Sequence, residues 1–271
     1  MKKWGLTLIA LVLTMSLIAA CGKKPEAPKD AAGGAQTTAP AKKLILGTSA
    51  DYPPYEFHKS TNGKDEIIGF DIMIAKEIAK DMGAELEIKD MKFDGLLPAL
   101  QSGNVDMILS GMTPTEERKK NVDFSKTYYT AKQMIVVRAE DKDKYKTMDS
   151  LAGKRIVVQK ASIQETVAKE QIKDAKIKTL SKITDIVLEL KNKNADAAII
   201  ELPVATSHVN RDKSIVIAEA TPKVEEAGSA VAFKKGSQDK IDLVNKTIDR
   251  LIAEKKIDQF VTDATSQVEA E

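Results

Sequence analysis

Residues 70–88 read FDIMIAKEIAKDMGAELEI. Ile74, Ile78 and Met82 repeat at helical spacing up to Gly83, a typical helix stop, so the segment predicts a helix that leads into a strand. The same alternation continues on both sides. The predicted order is a strand at 44–47, a helix at 70–82, a strand at 86–88, a helix at 94–102 and a strand at 105–109. This order is typical of a parallel α/β sheet.

The pattern starts again in the second half of the chain. Predicted strands lie at 134–137, 156–158, 197–200, 215–217 and 230–233, and predicted helices at 162–170, 183–190, 203–210 and 238–254. Two α/β units indicate two lobes with a cleft between them. Ligands of open α/β sheets lie beyond the carboxyl ends of the strands. The candidate binding loops therefore follow Gly47, Leu109, Val158 and Ile200, and the first of them includes a predicted loop at 51–55.

The N-terminus carries an export pattern. Lys2 and Lys3 precede an uncharged run at residues 4–20, and Cys21 is the only cysteine of the chain. A charged start, an apolar run and a small-residue cleavage site are typical of a secretory signal peptide, here residues 1–20. The position of Cys21 predicts a lipobox, with acylation at that cysteine. The alternative is an uncleaved membrane helix, for which the run is short.

Residues 21–42 are predicted to hold the lipidated Cys21 and a disordered linker, because they are rich in Pro, Gly, Ala and Lys and have no periodic apolar face. Two acyl chains suffice for stable anchoring. We therefore expect a protein tethered to the outer, extracytoplasmic face of the cell membrane. The remaining body of roughly 230 residues is long enough for two modest lobes or one large domain.

Composition excludes several classes of function. Removing residues 1–20 takes two lysines from the 42 basic residues and leaves 40 against 40 acidic ones, so the mature chain is close to neutral. That balance gives no indication of nucleic-acid binding. With Cys21 acylated no thiol remains, and His58 and His208 are the only imidazoles. Neither a metal site nor a cofactor is expected.

The loop after Leu109 offers a possible anion site. Gly111 permits close approach of a ligand to the backbone, Thr113 offers a hydroxyl, and a guanidinium such as that of Arg118 can grip a carboxylate with two parallel hydrogen bonds. The alternative is a helix N-cap at Thr113 or Thr115 followed by a surface arginine.

Two further loops carry candidate residues. Ser162 is a plausible N-cap, and a helix N-terminus presents free N–H groups to an anion; the alternative is a cap without a ligand. Glu201 follows the strand at 197–200 and places an acid at its carboxyl end. Its alternative interpretation is a solvated loop residue.

Taken together, these segments resemble the polar-amino-acid solute-binding proteins of bacterial ABC importers, bacterial solute-binding protein family 3. The matching text is GTSADYPPYEF at 47–57, GFDI at 69–72, FDGLLPAL at 93–100, SGMT at 110–113 with Arg118, VDFS at 122–125, SIQE at 162–165 and DAAIIE at 196–201. SIQE and the run EEAGSA at 225–230 look most like the Gram-positive arginine-binding lipoproteins.

The resemblance implies a two-lobed periplasmic-binding-protein fold of type II, with two hinge crossings near 130–133 and 226–229 and the ligand cleft between the lobes. Lobe 1 would comprise residues 43–131 plus 230–271, and lobe 2 residues 132–229. The implied protein is a monomer that delivers its ligand to an ABC permease and its ATPase. It is a binding protein and not an enzyme.

The resemblance also implies roles for individual residues. The ligand carboxylate meets Arg118 and the helix that starts at Ser162. Its ammonium meets Glu201, the Ser110 carbonyl and Thr113. The ligand side chain lies between Tyr52 and Phe93, with Asp51 or Glu56 as a counter-charge. The full predicted set is Asp51, Tyr52, Glu56, Phe93, Ser110, Gly111, Met112, Thr113, Arg118, Ser162, Ile163, Gln164 and Glu201.

The chain departs from the family pattern at three positions. Ser49 stands where basic-amino-acid binders often have Asp, Glu201 stands where the family more often has Asp, and Phe260 is expected to fill the packing role of a missing C-terminal Trp. The expected ligand is L-arginine; lysine, ornithine, histidine, glutamine and cystine are the alternatives. Because cyclohexadienyl dehydratases resemble the same fold, an enzyme that uses Glu201 as a general acid is a further alternative.

Overall fold

The computed structural model describes residues 42–224 and 228–269. The predicted signal peptide and Cys21 lie outside the described residues. The strands are β1 (Lys42–Thr48), β2 (Asp51–Tyr52), β3 (Glu56–Thr61), β4 (Lys64–Ile68), β5 (Ala84–Asp90), β6 (Met107–Ile108), β7 (Val122–Thr130), β8 (Gln133–Arg138), β9 (Arg155–Gln159), β10 (Lys176–Leu180), β11 (Ala197–Glu201), β12 (Ile215–Ile217) and β13 (Gly228–Lys234).

Helices surround these strands. They are α1 (Phe70–Asp81), α2 (Phe93–Ser102), α3 (Glu116–Lys119), α4 (Ile163–Gln171), α5 (Ile183–Lys191), α6 (Leu202–Arg211), α7 (Gln238–Ala253) and α8 (Lys256–Glu269), with 3₁₀ turns at Ala139–Lys144 and Met148–Leu151. The predicted helix at 70–82 is confirmed as α1, and its Ile74 and Ile78 are fully buried. None of the helices in the described ranges combines the length and apolar content that spanning a bilayer requires.

The first sheet has the strand order β5-β1-β6-β13-β7. Strand β1 lies between β5 and β6 and is parallel to both, with Leu46 opposite Ile88 on one side and Met107 on the other. The predicted parallel unit is therefore confirmed. Strand β13 runs antiparallel to β6 and to β7, so the sheet as a whole is mixed.

The second sheet has the order β10-β9-β11-β8-β12. Strands β10, β9 and β11 are parallel, whereas β8 and β12 are antiparallel to their neighbours. The predicted two-lobed α/β architecture is confirmed, with one five-stranded sheet in each lobe. The carboxyl ends of β9 and β11 carry Gln159 and Glu201 to the same edge of this sheet.

The chain passes between the sheets over a short segment. Strand β7 of the first sheet ends at Thr130, and β8 of the second begins at Gln133. On the return, β12 ends at Ile217 and β13 begins at Gly228. The predicted return crossing at 226–229 falls partly on residues 225–227, outside the described residues, and the predicted lobe boundaries stay predictions.

A small sheet, β2-β3-β4, is absent from the sequence interpretation. Strand β2 pairs with β3, with Asp51 opposite Phe57 and Tyr52 opposite Glu56. The predicted loop at 51–55 is therefore wrong for its first two residues. The reason is their antiparallel pairing with the next strand, which also fixes the direction of the Tyr52 side chain because side chains alternate along a strand.

Helix α8 is a second element that the sequence interpretation missed. It packs on α1 and α7 beside the first sheet and on α6 beside the second. Phe260, on α8, is partly buried against the main hydrophobic core, as expected for the residue that takes the packing role of the missing Trp. The C-terminal helix thus contacts both lobes on the hinge side.

Candidate functional site

A small, narrow cavity lies where the strand ends of the two sheets face each other. It brings together most of the predicted site and two residues that were not predicted, Gln133 and Gln159. The lining residues are Tyr52, Phe93, Ser110, Gly111, Thr113, Arg118, Gln133, Gln159, Ser162, Ile163, Gln164 and Glu201. Asp51, Glu56 and Met112 do not line it.

Arg118 is held over the cavity from the first lobe. It lies on the short helix α3, whose N-cap is Thr115: the Thr115 hydroxyl accepts a hydrogen bond from the Arg118 backbone N–H. The predicted cap is therefore present, but Arg118 is buried and is not a surface arginine. Its guanidinium donates to the Thr113 carbonyl at 2.8 Å and, across the cleft, to the Ala161 carbonyl at 2.9 Å.

Among the described residues, the guanidinium of Arg118 has no anionic partner. Within residues 42–224 and 228–269, no carboxylate lies within ion-pair distance of it, although it packs 5.5 Å from the centroid of the Phe93 ring. Burial lowers the pKa of Arg118 to about 10, and the nearby Glu117 carboxylate opposes this only in part. Because an unpaired buried cation is costly, Arg118 provides a strong site for an anionic group.

Glu201 faces the same cavity from the second lobe. It is the last residue of β11 and the N-cap of α6, and its exposure of 2% rules out a solvated loop residue. The Tyr52 hydroxyl donates to its carboxylate at 3.2 Å. Burial raises the pKa of Glu201 to about 7, against the opposing effect of Tyr55, Tyr52 and Gln133. A positively charged group in the cavity would favour its ionised form.

Aromatic and amide groups form the remaining walls. Tyr52 packs on Tyr55 with ring centroids 5.3 Å apart. On the opposite side, the Gln164 amide donates to the Gln133 side-chain oxygen at 2.8 Å. Gln159 directly follows a predicted buried strand, so the reasoning that found Glu201 could also have found it. Gln133 instead begins the antiparallel strand β8 and is paired directly with Glu201 in the sheet.

Helix α4 points its N-terminus at the cavity. Ser162 is its N-cap: the hydroxyl accepts from the Glu165 N–H and donates to the Gln159 carbonyl at 2.7 Å. Ser162, Ile163 and Gln164 all line the cavity. The predicted cap is therefore confirmed, and the first turn of a nine-residue helix adds its dipole and backbone N–H groups to the side that Arg118 faces.

The three predicted residues outside the lining have other partners. Asp51 accepts from the Ile183 backbone N–H at 2.6 Å, at the start of α5, and from the Ser49 hydroxyl at 3.1 Å. Glu56 is fully buried and accepts from the Ser110 hydroxyl at 2.6 Å. Met112 packs in a separate hydrophobic cluster with Phe93.

Direct contacts join the two lobes around the cavity. They are Tyr52 with Glu201, Arg118 with the Ala161 carbonyl, Asp51 with the Ile183 N–H, and an ion pair of Lys160 with Asp94 at 2.8 Å. The structure is therefore closed around the site. A small molecule held here would contact both lobes, and its charged hydrogen bonds would be stronger than in water.

The arrangement suits a ligand that carries a negative and a positive charge on one small frame. Arg118 and the start of α4 offer donors to an anion, while the Glu201 carboxylate offers an acceptor to a cation. In the part of the chain that the structure describes, no cluster of three His, Cys, Asp or Glu side chains has metal-binding geometry.

Comparison with known proteins agrees with this chemistry. The profile of the family "Bacterial extracellular solute-binding proteins, family 3" matches residues 44–263. The arginine-binding extracellular protein ArtP of Bacillus subtilis (strain 168) is 44% identical over 243 residues, which cover 88% of each chain. A probable histidine-binding protein of Campylobacter jejuni is 34% identical over the full length of both chains.

A solved structure shows the same architecture. The amino acid ABC transporter substrate-binding protein AbpA of Streptococcus pneumoniae, bound to L-arginine, superimposes with a TM-score of 0.82 at 38% identity, over 84% of this chain and 96% of that one. The fold is thus the predicted type II two-lobed fold. The chain belongs to the bacterial extracellular solute-binding proteins of family 3.

Proposed function

We propose that the protein is the binding component of an ABC importer for polar amino acids, with L-arginine as its preferred ligand. One observation carries the proposal: a buried guanidinium, Arg118, without a carboxylate partner among the described residues shares a cavity with a buried carboxylate, Glu201. The carboxylate of an amino-acid zwitterion would pair with Arg118, and its ammonium group would pair with Glu201. We also infer that the ligand is released unchanged to a permease and its ATPase.

The zwitterion is held by both lobes. Its carboxylate receives two parallel hydrogen bonds from Arg118 and further donors from the first turn of α4. Its ammonium donates to Glu201, to the Ser110 carbonyl and to Thr113. Since these groups belong to different lobes, a bound ligand favours the closed state over the open one.

The preference for arginine rests on the cavity walls and on the relatives. Tyr52 and Phe93 offer flat aromatic surfaces, and a guanidinium stacks well on such surfaces. Gln133, Gln159 and Gln164 offer side-chain oxygens to its N–H groups. Lysine, ornithine, histidine, glutamine and cystine are the alternative ligands, because they share the zwitterion and differ only at these walls.

Calorimetric titration of residues 40–271, a compact unit by itself, against the twenty amino acids, ornithine, citrulline and cystine tests the proposal. We expect saturable binding of L-arginine, weaker binding of lysine and ornithine, and recovery of unchanged arginine from the complex by mass spectrometry. Preference for a neutral amino acid would overturn the arginine assignment. Conversion of the ligand would favour the dehydratase-like alternative.

Asp51 is expected to act on closure and not on the ligand side chain. Its carboxylate accepts a hydrogen bond from the first backbone N–H of α5, that of Ile183, and so caps this helix from the other lobe. The N-cap residue of α5 itself, Lys182, makes no side-chain capping hydrogen bond. Asp51→Ala should therefore weaken L-arginine and its neutral isostere L-citrulline by the same factor, about fivefold for the loss of one cap.

Two further variants separate charge from capping. Asp51→Asn keeps an oxygen that can accept from Ile183, so it should bind both ligands nearly as the wild type does. Lys160→Ala breaks an exposed ion pair between the lobes, with Lys160 56% exposed, and should have little effect. If Asp51→Ala weakens arginine alone, Asp51 is a counter-charge to the guanidinium instead.

We further propose that Cys21, outside the described residues, is the lipid anchor and that the binding unit works on the outer face of the cell membrane. Tethering keeps the binding protein at a high effective concentration beside its permease. Cys21→Ala should shift the protein from the membrane fraction to the medium, or leave it uncleaved, with unchanged affinity of the binding unit. Mature-sized protein that stays with the membrane would contradict the anchor.

A further inference from the structure

Two acids lie buried directly beneath the Ser110–Gly111 segment and do not line the cavity. Glu56, on β3, and Asp71, in the first turn of α1, are both fully inaccessible to solvent. Burial of two neighbouring carboxyl groups is costly unless each is fully hydrogen-bonded. The hydrogen bonds of the two acids therefore indicate their role.

Each acid holds one part of the segment above it. The Glu56 carboxyl accepts from the Ser110 hydroxyl at 2.6 Å, and that hydroxyl oxygen in turn accepts from the Ser49 N–H at 3.1 Å. Asp71 Oδ2 accepts from the Gly111 backbone N–H at 2.9 Å and from the Tyr128 hydroxyl at 2.8 Å. Both the side chain of Ser110 and the peptide that follows it are thus fixed from below.

The bond to Gly111 determines where the Ser110 carbonyl points. In a trans peptide the C=O and the next N–H point in opposite directions, and the Ser110–Gly111 peptide is trans. The Gly111 N–H points to Asp71 beneath the segment. The Ser110 carbonyl oxygen of the same peptide therefore points away from Asp71, toward the cavity that Ser110 and Gly111 line. Gly111 adopts a left-handed φ of 56°, which a residue with a Cβ rarely does.

One oxygen of each acid is buried without a partner: Glu56 Oε2 and Asp71 Oδ1 accept no hydrogen bond from the described residues. Asp71 raises the pKa of Glu56, so the two carboxyl groups are close enough to repel each other when both are ionised. A single proton on the pair removes that repulsion and leaves one negative charge.

The surroundings assign that proton to Glu56. Burial and the neighbouring Asp71 raise the pKa of Glu56 well above its usual range. Burial raises the pKa of Asp71 only to about 6, because Gly111 and Tyr128 donate hydrogen bonds to its carboxylate. The other ionisable groups that act on Glu56 and Tyr128 are Asp51 and Glu201, both acids.

We propose that Glu56 and Asp71 are positioning residues that share one proton and aim the Ser110 carbonyl at the ammonium group of the ligand. This rests on the proposed function, since it deepens the account of the same site. The charge that remains on the pair adds to that of Glu201 and favours a cation at this end of the cavity.

A cycle of two ligands and several variants tests the pair. L-Arginine and argininic acid, in which a hydroxyl replaces the ammonium, are titrated into each protein by calorimetry. Asp71→Ala removes the acceptor for Gly111 and should weaken L-arginine about tenfold or more. It should weaken argininic acid less than about threefold, because the lost alignment affects mainly the ammonium contact.

Conservative variants separate positioning from folding. Glu56→Gln and Asp71→Asn each replace the shared proton by an amide donor while keeping an acceptor for the segment above, so both should retain L-arginine binding within about threefold. Asp106→Ala is the matched control, because Asp106 also accepts a backbone N–H, that of Ile45 at 2.9 Å, away from the cavity. It should leave the ratio of the two affinities unchanged.

Four results would overturn the proposal. Equal weakening of both ligands by Asp71→Ala would show a general structural role, and unchanged L-arginine affinity in that variant would show no role. Loss of binding in Glu56→Gln would show that the amide cannot replace the shared proton. A wild type that binds argininic acid as tightly as L-arginine would contradict the ammonium subsite itself, and the proposed function with it.

Discussion

Arg118→Ala is expected to lose measurable binding of every amino acid. The guanidinium is buried, and among the described residues it donates hydrogen bonds only to the Thr113 and Ala161 carbonyls, so the ligand carboxylate would be its one anionic contact. Removing one partner of a buried charge pair costs about 2–5 kcal/mol, which is roughly 30-fold to several-thousandfold in affinity. Calorimetry with L-arginine measures this loss directly.

Arg118→Lys and Arg155→Ala are the comparisons for this prediction. Lysine keeps the charge without the two parallel donors, so Arg118→Lys should recover part of the affinity. Arg155 is 46% exposed and pairs with Asp196 outside the cavity, so Arg155→Ala should bind as the wild type does. Wild-type affinity in Arg118→Ala would show that the carboxylate is held elsewhere.

Glu201→Gln is expected to weaken all amino-acid ligands by about 30-fold or more, since it removes the one charged partner of the ligand ammonium within the cavity lining. The glutamine can still accept from Tyr52, so the fold is retained. An unchanged melting temperature together with weak binding identifies a ligand contact. Equal loss of stability and affinity would indicate a structural role instead.

The same residue predicts a pH dependence. The pKa of Glu201 is about 7 in the free protein, and a bound ammonium favours the ionised carboxylate and so lowers that pKa. Binding should therefore release a proton below about pH 7, and the affinity should fall as the pH is lowered. Titrations in two buffers of different ionisation enthalpy measure the release. Release that persists in Glu201→Gln would come from another group, such as Asp71.

The sequence predicted the positions of the binding loops because parallel strands bring their carboxyl ends to one edge. Glu201 follows a predicted strand directly, and Arg118 lies in the loop after another, so both were found. Gln133 was missed because it begins an antiparallel strand, β8, whose direction the apolar pattern does not show. Helix α8 was missed because only two residues separate it from the helix before it.

The roles of the buried acids depend on contacts between distant segments. Asp51 meets Ile183, and Asp71 meets Gly111, across 132 and 40 residues of chain respectively. No spacing in the sequence records which lobe or which peptide a carboxylate will reach. From their residue types, Asp51 and Glu56 were candidates for a counter-charge to the ligand. In the structure, Asp51 instead contacts the start of α5, and Glu56 contacts the Ser110 hydroxyl behind the cavity wall.

The most direct test of the account is a crystal structure of residues 40–271 with L-arginine. We expect one ligand in the cavity, with its carboxylate within hydrogen-bond distance of the Arg118 guanidinium and the first turn of α4. We expect its ammonium within hydrogen-bond distance of Glu201 and the Ser110 carbonyl. A ligand bound outside this cavity, or bound with its carboxylate away from Arg118, would contradict the central claim.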